Sequence, residues 1–264
     1  MKFESGGDKM LYWIWLSSLT RISPKKCKQL IDYFGNPENI WNAKEKELKI
    51  LPFITKTNYE ELIDPKKKLN SEKIFNTVNR LGIKIITIKD SNYPAFLKNI
   101  YDPPVVLYVR GSIIADENYV AVVGSRKATP YGLRTAEDIS CKLTKYGITV
   151  VSGMARGIDS SVHKGAVKYG GRTVAVLGCG VDISYPAENE SLMEKIISSG
   201  AVISEFVPGT PPLSRNFPLR NRIISGMSLG VVVIEAGERS GSLITAELAL
   251  EQGREVFAVP GNIN

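Results

Sequence analysis

Five segments of this chain concentrate the residue types that hold phosphate. They are Gly124-Ser125-Arg126, Gly153-Met154-Ala155-Arg156-Gly157, Gly178-Cys179-Gly180, the stretch FVPGTPPLSRNFPLRNR with Arg215, Phe217, Arg220 and Arg222, and GERSGS with Ser240, Gly241 and Ser242. Glycine lets backbone N–H groups approach an anion. A helix N-terminus adds unsatisfied donors and the positive end of a dipole, and arginine adds a planar two-pronged clamp. Any one of these loops alone is ordinary turn chemistry. Their repetition points to a row of phosphate seats, with Arg126, Arg156 and Arg215 supplying charge. Arg220 and Arg222 sharpen the argument. The spacing predicts a helix over 219–228, which puts both in its first turn, where a cation is disfavoured by ~0.3–1 kcal/mol unless an anion arrives. Residues two apart do not share a helical face, so one of the pair meets the ligand and the other turns to Glu205 or Glu235. For Phe217 two readings stand: an anchor for the long loop, or a stacking platform for a nucleobase worth ~1–3 kcal/mol.

Other chemistries find little support. The phosphate-loop pattern GxxxxGK[ST] is missing. Gly178-Cys179-Gly180 opens a GxGxxG, but Ile183 stands where the third glycine belongs and Pro186 interrupts the helix start, so a dinucleotide fingerprint fails. The single histidine, His163, lies four residues after Asp159. That spacing could bring the two together on one helical face, but Asp159 reads as a helix N-cap and His163 as a structural contact. There is no GxSxG elbow and no cysteine placed for a Cys–His pair. Cys27, Cys141 and Cys179 are scattered without a CxxC, and Asp182, Glu205, Glu235 and Glu238 are not spaced as a metal cluster. The expectation is binding without catalysis, cofactor or metal.

The elements that must position these loops are regular from Asn118 onward. YVAVVG, ITVVSG, TVAVLG, AVISE, GVVVIEA and EVFAVP read as strands. Helical stretches over 131–146, 159–169, 189–199, 219–228 and 242–252 separate them. Near-continuous Val/Ile strands alternating with helices imply a mostly parallel sheet covered on both faces, an α/β doubly wound fold. In that fold every strand-to-helix loop emerges at one edge, the carboxyl ends of the strands, and that edge is where the five segments fall. Two further strands, IKIITI and VVLYV, precede the repeat, with a proline-held irregular stretch between them. The first part of the chain reads as short helices. SPKKCKQLIDYFG carries a Ser23 cap, Pro24 at the first helical position and Gly35 as a stop, and NPENIWNAKEKEL is one capped helix or two short ones. DPKKKLNSEK is a linker or the start of another helix. The expected division is a small all-α domain over 1–70 and the sheet domain over 71–264.

Of 264 residues, 43% are hydrophobic and 23% charged, an ordinary globular balance. No apolar run approaches the ~20 residues of a membrane span, and LYWIWL is too short and lacks a cleavage site for a signal peptide. Few cysteines in no framework suit a reducing, cytoplasmic setting. The net charge of +7 is uneven: residues 1–115 hold 19 Lys+Arg against 12 Asp+Glu, and the remainder holds 15 of each. The first part is either a solvated lysine-rich surface or a weak attractive field for a polyanion. The second part can bind anions only through a local site.

Read in order, AVVGSRKATPYG, VVSGMARGIDSSVHKGAV, TVAVLGCGVDISYP, ISEFVPGTPPLSRNFPLRNRII and VVVIEAGERSGSLITAELALEQGREVFAVPG resemble the DNA-processing protein family, DprA/Smf. YPAFLKNIYDPPVVLYVRG is similar to that family's lead-in. The resemblance implies an extended Rossmann-like fold preceded by a helical domain of sterile-alpha-motif or helix-hairpin-helix type. It further implies single-stranded DNA as ligand, a homodimer, no enzymatic activity, and loading of a RecA-type recombinase in natural transformation. It carries Ser125, Arg126, Arg156, Arg215 and Phe217 over as the residues that hold the strand. Members usually continue past the PGN turn, so a chain ending at Asn264 reads as a fragment or a short member. Two rivals remain: an enzyme or sensor for a small nucleotide-derived ligand in the same pocket, and an adaptor whose basic N-terminal domain binds partners.

Overall fold

The structure is a computed structural model that describes residues 7–238 and 240–261. Six helices come first: α1 (Gly7–Ser18), α2 (Pro24–Phe34), α3 (Pro37–Asn42), α4 (Glu45–Lys49), α5 (Lys56–Ile63) and α6 (Pro65–Arg80). The caps follow local chemistry. Ser23 accepts the N–H of Lys26 at 3.4 Å, Pro24 needs no amide partner in the first turn, and Gly35 closes α2 at φ 86°. Asn36 caps α3 in the same way, so NPENIWNAKEKEL forms two short helices. LYWIWL lies in α1, where Ile14, Trp15 and Leu16 are wholly buried. DPKKKLNSEK is helix: Asp64 caps α6 through the N–H of Lys66, and α6 runs unbroken across the 70/71 position.

The sheet follows. It comprises β1 (Lys84–Thr87), α7 (Ala95–Lys98), β2 (Val106–Gly111), β3 (Tyr119–Gly124), α8 (Pro130–Lys145), β4 (Thr149–Ser152), α9 (Ile158–Lys168), β5 (Thr173–Val176), α10 (Glu190–Ser199), β6 (Ala201–Ser204), α11 (Asn216–Met227), β7 (Gly230–Ile234), α12 (Gly241–Glu251) and β8 (Glu255–Ala258). The strand order is β1-β2-β6-β5-β4-β3-β7-β8. From β6 to β8 all neighbours are parallel, while β2 joins β6 and β1 joins β2 antiparallel. Strands β4, β5 and β6 are buried at every residue, as Val/Ile runs covered on both faces must be. After β3 the chain steps one way through β4, β5 and β6, then crosses back to place β7 and β8 on the other side. The order therefore reverses at β3/β7, and a crevice opens outside the carboxyl ends there.

One apolar core runs from α1 and α2 through β2 into the sheet, joining Trp15, Leu16 and Leu30 to Leu107, Tyr108 and Val202. Within it Ser17 Oγ meets Tyr108 Oη at 2.9 Å. The helical region is thus packed onto the antiparallel end of the sheet.

Helix α11 corrects one expectation. It begins at Asn216, not Leu219, because Pro218 falls in the first turn, where its missing N–H costs nothing. Arg220 and Arg222 consequently lie beyond the first turn, where the dipole's positive end no longer disfavours a cation.

Candidate nucleic-acid interface

The strand-end crevice has a volume of about 720 Å³. The β3–α8 loop forms its near rim: Gly124 and Ser125 are half-buried, while Arg126 and Lys127 are exposed. Ser125 Oγ accepts the N–H of Lys127 at 3.1 Å, which turns the loop. The opposite side is the start of α12. Ser240 caps that helix through the N–H of Ser242, and the two hydroxyls meet at 2.7 Å beside exposed Gly241. Phe217 makes the wall. Its half-buried ring stands against Gly178, 5.5 Å from the ring of Tyr185, with the guanidinium groups of Arg126 and Arg220 at 5.6 Å and 5.8 Å from its centroid. It is therefore both a loop anchor and a lining aromatic.

Helix N-termini are not equivalent at this edge. At α8 the position is taken: Glu235, held in the left-handed region at φ 49°, accepts the N–H of Thr129 at 2.8 Å and also its hydroxyl. At α9 the buried Asp159 carboxylate accepts the N–H of Ala155 at 3.3 Å. The first turn of α12 holds no acidic residue. Of these three helices, only α12 offers its positive end without a resident carboxylate.

Arg220 is 3% exposed on the crevice floor. Its Nη1 donates to the carbonyls of Gly153, at 2.6 Å, and Val176, and its Nε donates to Asn221 Oδ1 at 3.2 Å. Burial pushes its pKa down to about 10, opposed by the Asp159 carboxylate, so it remains a cation near neutrality. Burial also raises the Asp159 pKa, an effect that Arg220 opposes. Rim and floor thus carry Arg126, Lys127 and Arg220 against Asp159, a local positive balance within a charge-balanced half of the chain.

Other candidates lie elsewhere. Gly153 and Gly157 serve packing. A Cβ on Gly153 would meet the Arg220 guanidinium at 2.6 Å, and Gly157, at φ 77°, would meet the Ser125 carbonyl at 2.4 Å. Arg156 projects outward and is bound through Nη2 to Glu188 Oε2 at 2.9 Å. The hydrogen bond that Arg156 donates to Glu188 raises the Arg156 pKa, and Arg156 holds the Glu188 carboxyl below the usual range. Arg215 is exposed on the far side of its loop, in a different cleft. Arg222 leaves the crevice altogether and is 5% exposed, ion-paired to Glu205 at 2.6 Å and Asp102 at 2.9 Å. Desolvation works to lower its pKa, but those carboxylates hold it above the ordinary value. Pairing with Glu205 was one of the two partners expected for the arginine that turns away. Gly178-Cys179-Gly180 is closed over: Cys179 is buried, Asp182 accepts the Gly209 N–H at 2.9 Å, and Asn216 donates to the Gly178 carbonyl.

His163 is fully buried, and Nδ1 meets Thr173 Oγ1 at 2.8 Å. Since that hydroxyl donates to the Val150 carbonyl, Nδ1 carries the ring proton. Burial, then Arg220, pushes the His163 pKa down to about 3. Burial likewise raises Cys27 to about 12 and Cys179 to about 11. Among the described residues no cluster of His, Cys, Asp and Glu could hold a metal ion, and no helix is long and apolar enough to cross a membrane. Sequence reasoning missed Tyr185, Lys127, Glu188 and the role of Glu235. Tyr185, an aromatic in the DISYP turn, and Lys127, the cation next to Arg126, had a local signal.

Comparison with known proteins decides the family. The sequence profile described as DNA recombination-mediator protein A matches residues 84–264. The chain belongs to the DprA/Smf family. It is 38% identical over 260 residues to protein Smf of Synechocystis, covering 97% of this chain and 65% of that protein. It is 44% identical over 184 residues to DNA processing protein DprA of Bacillus subtilis, covering 69% and 62%. The chain thus spans less than two thirds of the length of these relatives. Among solved structures, DprA of Streptococcus pneumoniae superposes with a TM-score of 0.73 at 33% identity, covering 100% of this chain and 89% of that one. DNA processing protein A of Helicobacter pylori, solved to describe its single-stranded DNA binding mode, gives a TM-score of 0.61 at 28% identity, covering 69% of this chain and 83% of that one. The DprA/Smf fold expected from the motifs is the fold observed.

Proposed function

We propose that this chain binds single-stranded DNA in the β3/β7 crevice and acts as a recombination mediator. In that role it protects incoming DNA and delivers it to a RecA-type recombinase in natural transformation, as a homodimer in the cytoplasm. One observation carries the reading: in a DprA/Smf chain, an exposed Arg126 stands beside the aromatic wall of Phe217 and Tyr185, facing the acid-free start of α12. Phosphates sit on Arg126, Lys127 and the Ser240–Ser242 turn, and a base lies on Phe217. Nothing in this arrangement reads a base edge, so sequence preference is low. The reading is non-enzymatic: His163 is held neutral inside the core, and the Cys27 and Cys179 thiols are held protonated.

The test is a titration of labelled oligothymidylate at two salt concentrations. Affinity falls steeply with salt, Arg126→Ala lowers the log–log slope by ~0.7 for each phosphate it no longer neutralises, and Phe217→Ala weakens binding by ~1–3 kcal/mol. Binding insensitive to salt and to both substitutions would refute the site. Thermal stabilisation by a mononucleotide, with no oligonucleotide binding, would replace this reading with a small-ligand pocket. Delivery to a recombinase is read separately, as faster strand exchange on DNA precoated with this chain.

A further inference from the structure

The segment Pro212–Pro218 forms a ridge between two hollows. Pro212, Ser214, Phe217 and Pro218 line the crevice, whereas Leu213, Arg215 and Asn216 line a cleft of about 600 Å³ on the other side. The far wall of that cleft is the turn from α1 into α2, Leu16 to Pro24. Ser23 and Asp102 are shared with a third hollow of about 400 Å³, lined also by Lys25, Lys26, Phe53 and Tyr101. Crevice, cleft and hollow therefore adjoin in that order.

The cleft in the middle is lined mainly by apolar side chains, and the cations and the exposed aromatic stand on the ridge and in the far hollow. Tyr101 is 77% exposed, and the Lys25 ammonium lies 3.8 Å over its ring. Among the described residues, none of Arg215, Lys25 and Lys26 has a carboxylate within 4.0 Å. Lys26 instead donates to Asn58 Oδ1 at 2.7 Å. The opposing charges, Asp102 and Glu205, are both ion-paired to Arg222. The whole-chain distribution agrees: the surplus of seven positive charges lies in residues 1–115, while the half that forms the crevice is balanced. Lys25 and Lys26 belong to that cationic part of the chain, and the crevice is only locally cationic.

We propose that a single strand leaving the crevice crosses the ridge at Arg215 and continues onto the N-terminal helices, where Lys25 contacts its backbone and Tyr101 stacks a base. This rests on the crevice reading above, and the experiment separates the two. Binding is measured for oligothymidylates of about 6 and about 20 nucleotides, the shorter filling the crevice alone. Lys25→Ala and Tyr101→Ala are compared with the parent chain and with Arg126→Ala, after thermal melting confirms that each variant is folded. Tyr101→Ala weakens the longer oligonucleotide at least about fivefold, and Lys25→Ala lowers its salt slope by ~0.7. The shorter one binds both variants as it binds the parent, and Arg126→Ala weakens both lengths. If neither Tyr101→Ala nor Lys25→Ala changes the longer oligonucleotide while Arg126→Ala does, the track is overturned and the crevice stands. Equal weakening of both lengths by Tyr101→Ala also overturns the track. No binding of either length by the parent chain overturns both readings.

Discussion

Arg156, set between Gly153 and Gly157, shows how residue type and residue role separate. Its flanking glycines are required by neighbours: the Arg220 guanidinium at one and the Ser125 carbonyl at the other. The arginine projects outward because its loop is fixed on both sides, and outside it meets Glu188. A carboxylate on an exposed guanidinium occupies the geometry a phosphate would take. Glu188→Gln therefore frees Arg156 and tightens oligothymidylate binding, with the melting temperature unchanged because the pair is solvated. A titration and a thermal melt check this; unchanged affinity means that Arg156 lies off the strand path. The arginines themselves were legible as a set, but which of them line the crevice was not. Arg220 and Arg222 differ by two residues, yet one bonds backbone carbonyls under the crevice and the other joins two carboxylates on the opposite side.

At the scale of elements, strand-to-helix loops support one another. The β3–α8 loop rests on the β4–α9 loop through the N–H of Ile158, which donates to the Ser125 carbonyl at 3.1 Å. Gly157→Ala would place a Cβ 2.4 Å from that carbonyl at a backbone φ of 77°. The clash is with backbone, so the loop must move. The expected cost is ~1–3 kcal/mol in chemical denaturation, accompanied by weaker DNA binding as Ser125 and Arg126 shift. A variant that loses stability but keeps its affinity would show that the rim tolerates displacement. The strands were legible because burial on both faces writes itself as unbroken Val/Ile runs. The start of α11 was not, because proline reads as a breaker in sequence while the first helical turn accepts it.

For the whole molecule, the continuous core predicts cooperativity. Trp13, Trp15 and Trp41 all lie in the helical region, so tryptophan fluorescence reports it, while far-ultraviolet dichroism reports the entire fold. The two denaturation curves should coincide; separated midpoints would mean that the helices unfold independently of the sheet. His163 adds a pH dependence. Its folded pKa of about 3 lies below its ordinary 6.5, so between those values the unfolded chain binds more protons. Its contribution is fully present above about 6.5 and is lost as pH falls toward 3. His163→Leu, less stable at pH 7 without the bond to Thr173, shows a flatter decline over that window, measured by urea midpoints. An unchanged slope would place the titration elsewhere.

What the chain order alone determined was the class of fold and the edge where its glycine- and arginine-rich loops gather. Periodicity and glycine–arginine composition are local quantities, and they survive in one dimension. What only the tertiary structure decided was occupancy. Glu235 fills the α8 terminus from 106 residues away, Glu205 and Asp102 claim Arg222, and Tyr185 comes to stand beside Phe217. Each pairing joins segments distant in sequence, so the free energy that chooses the partner of a charge or a ring depends on distances that no spacing along the chain contains.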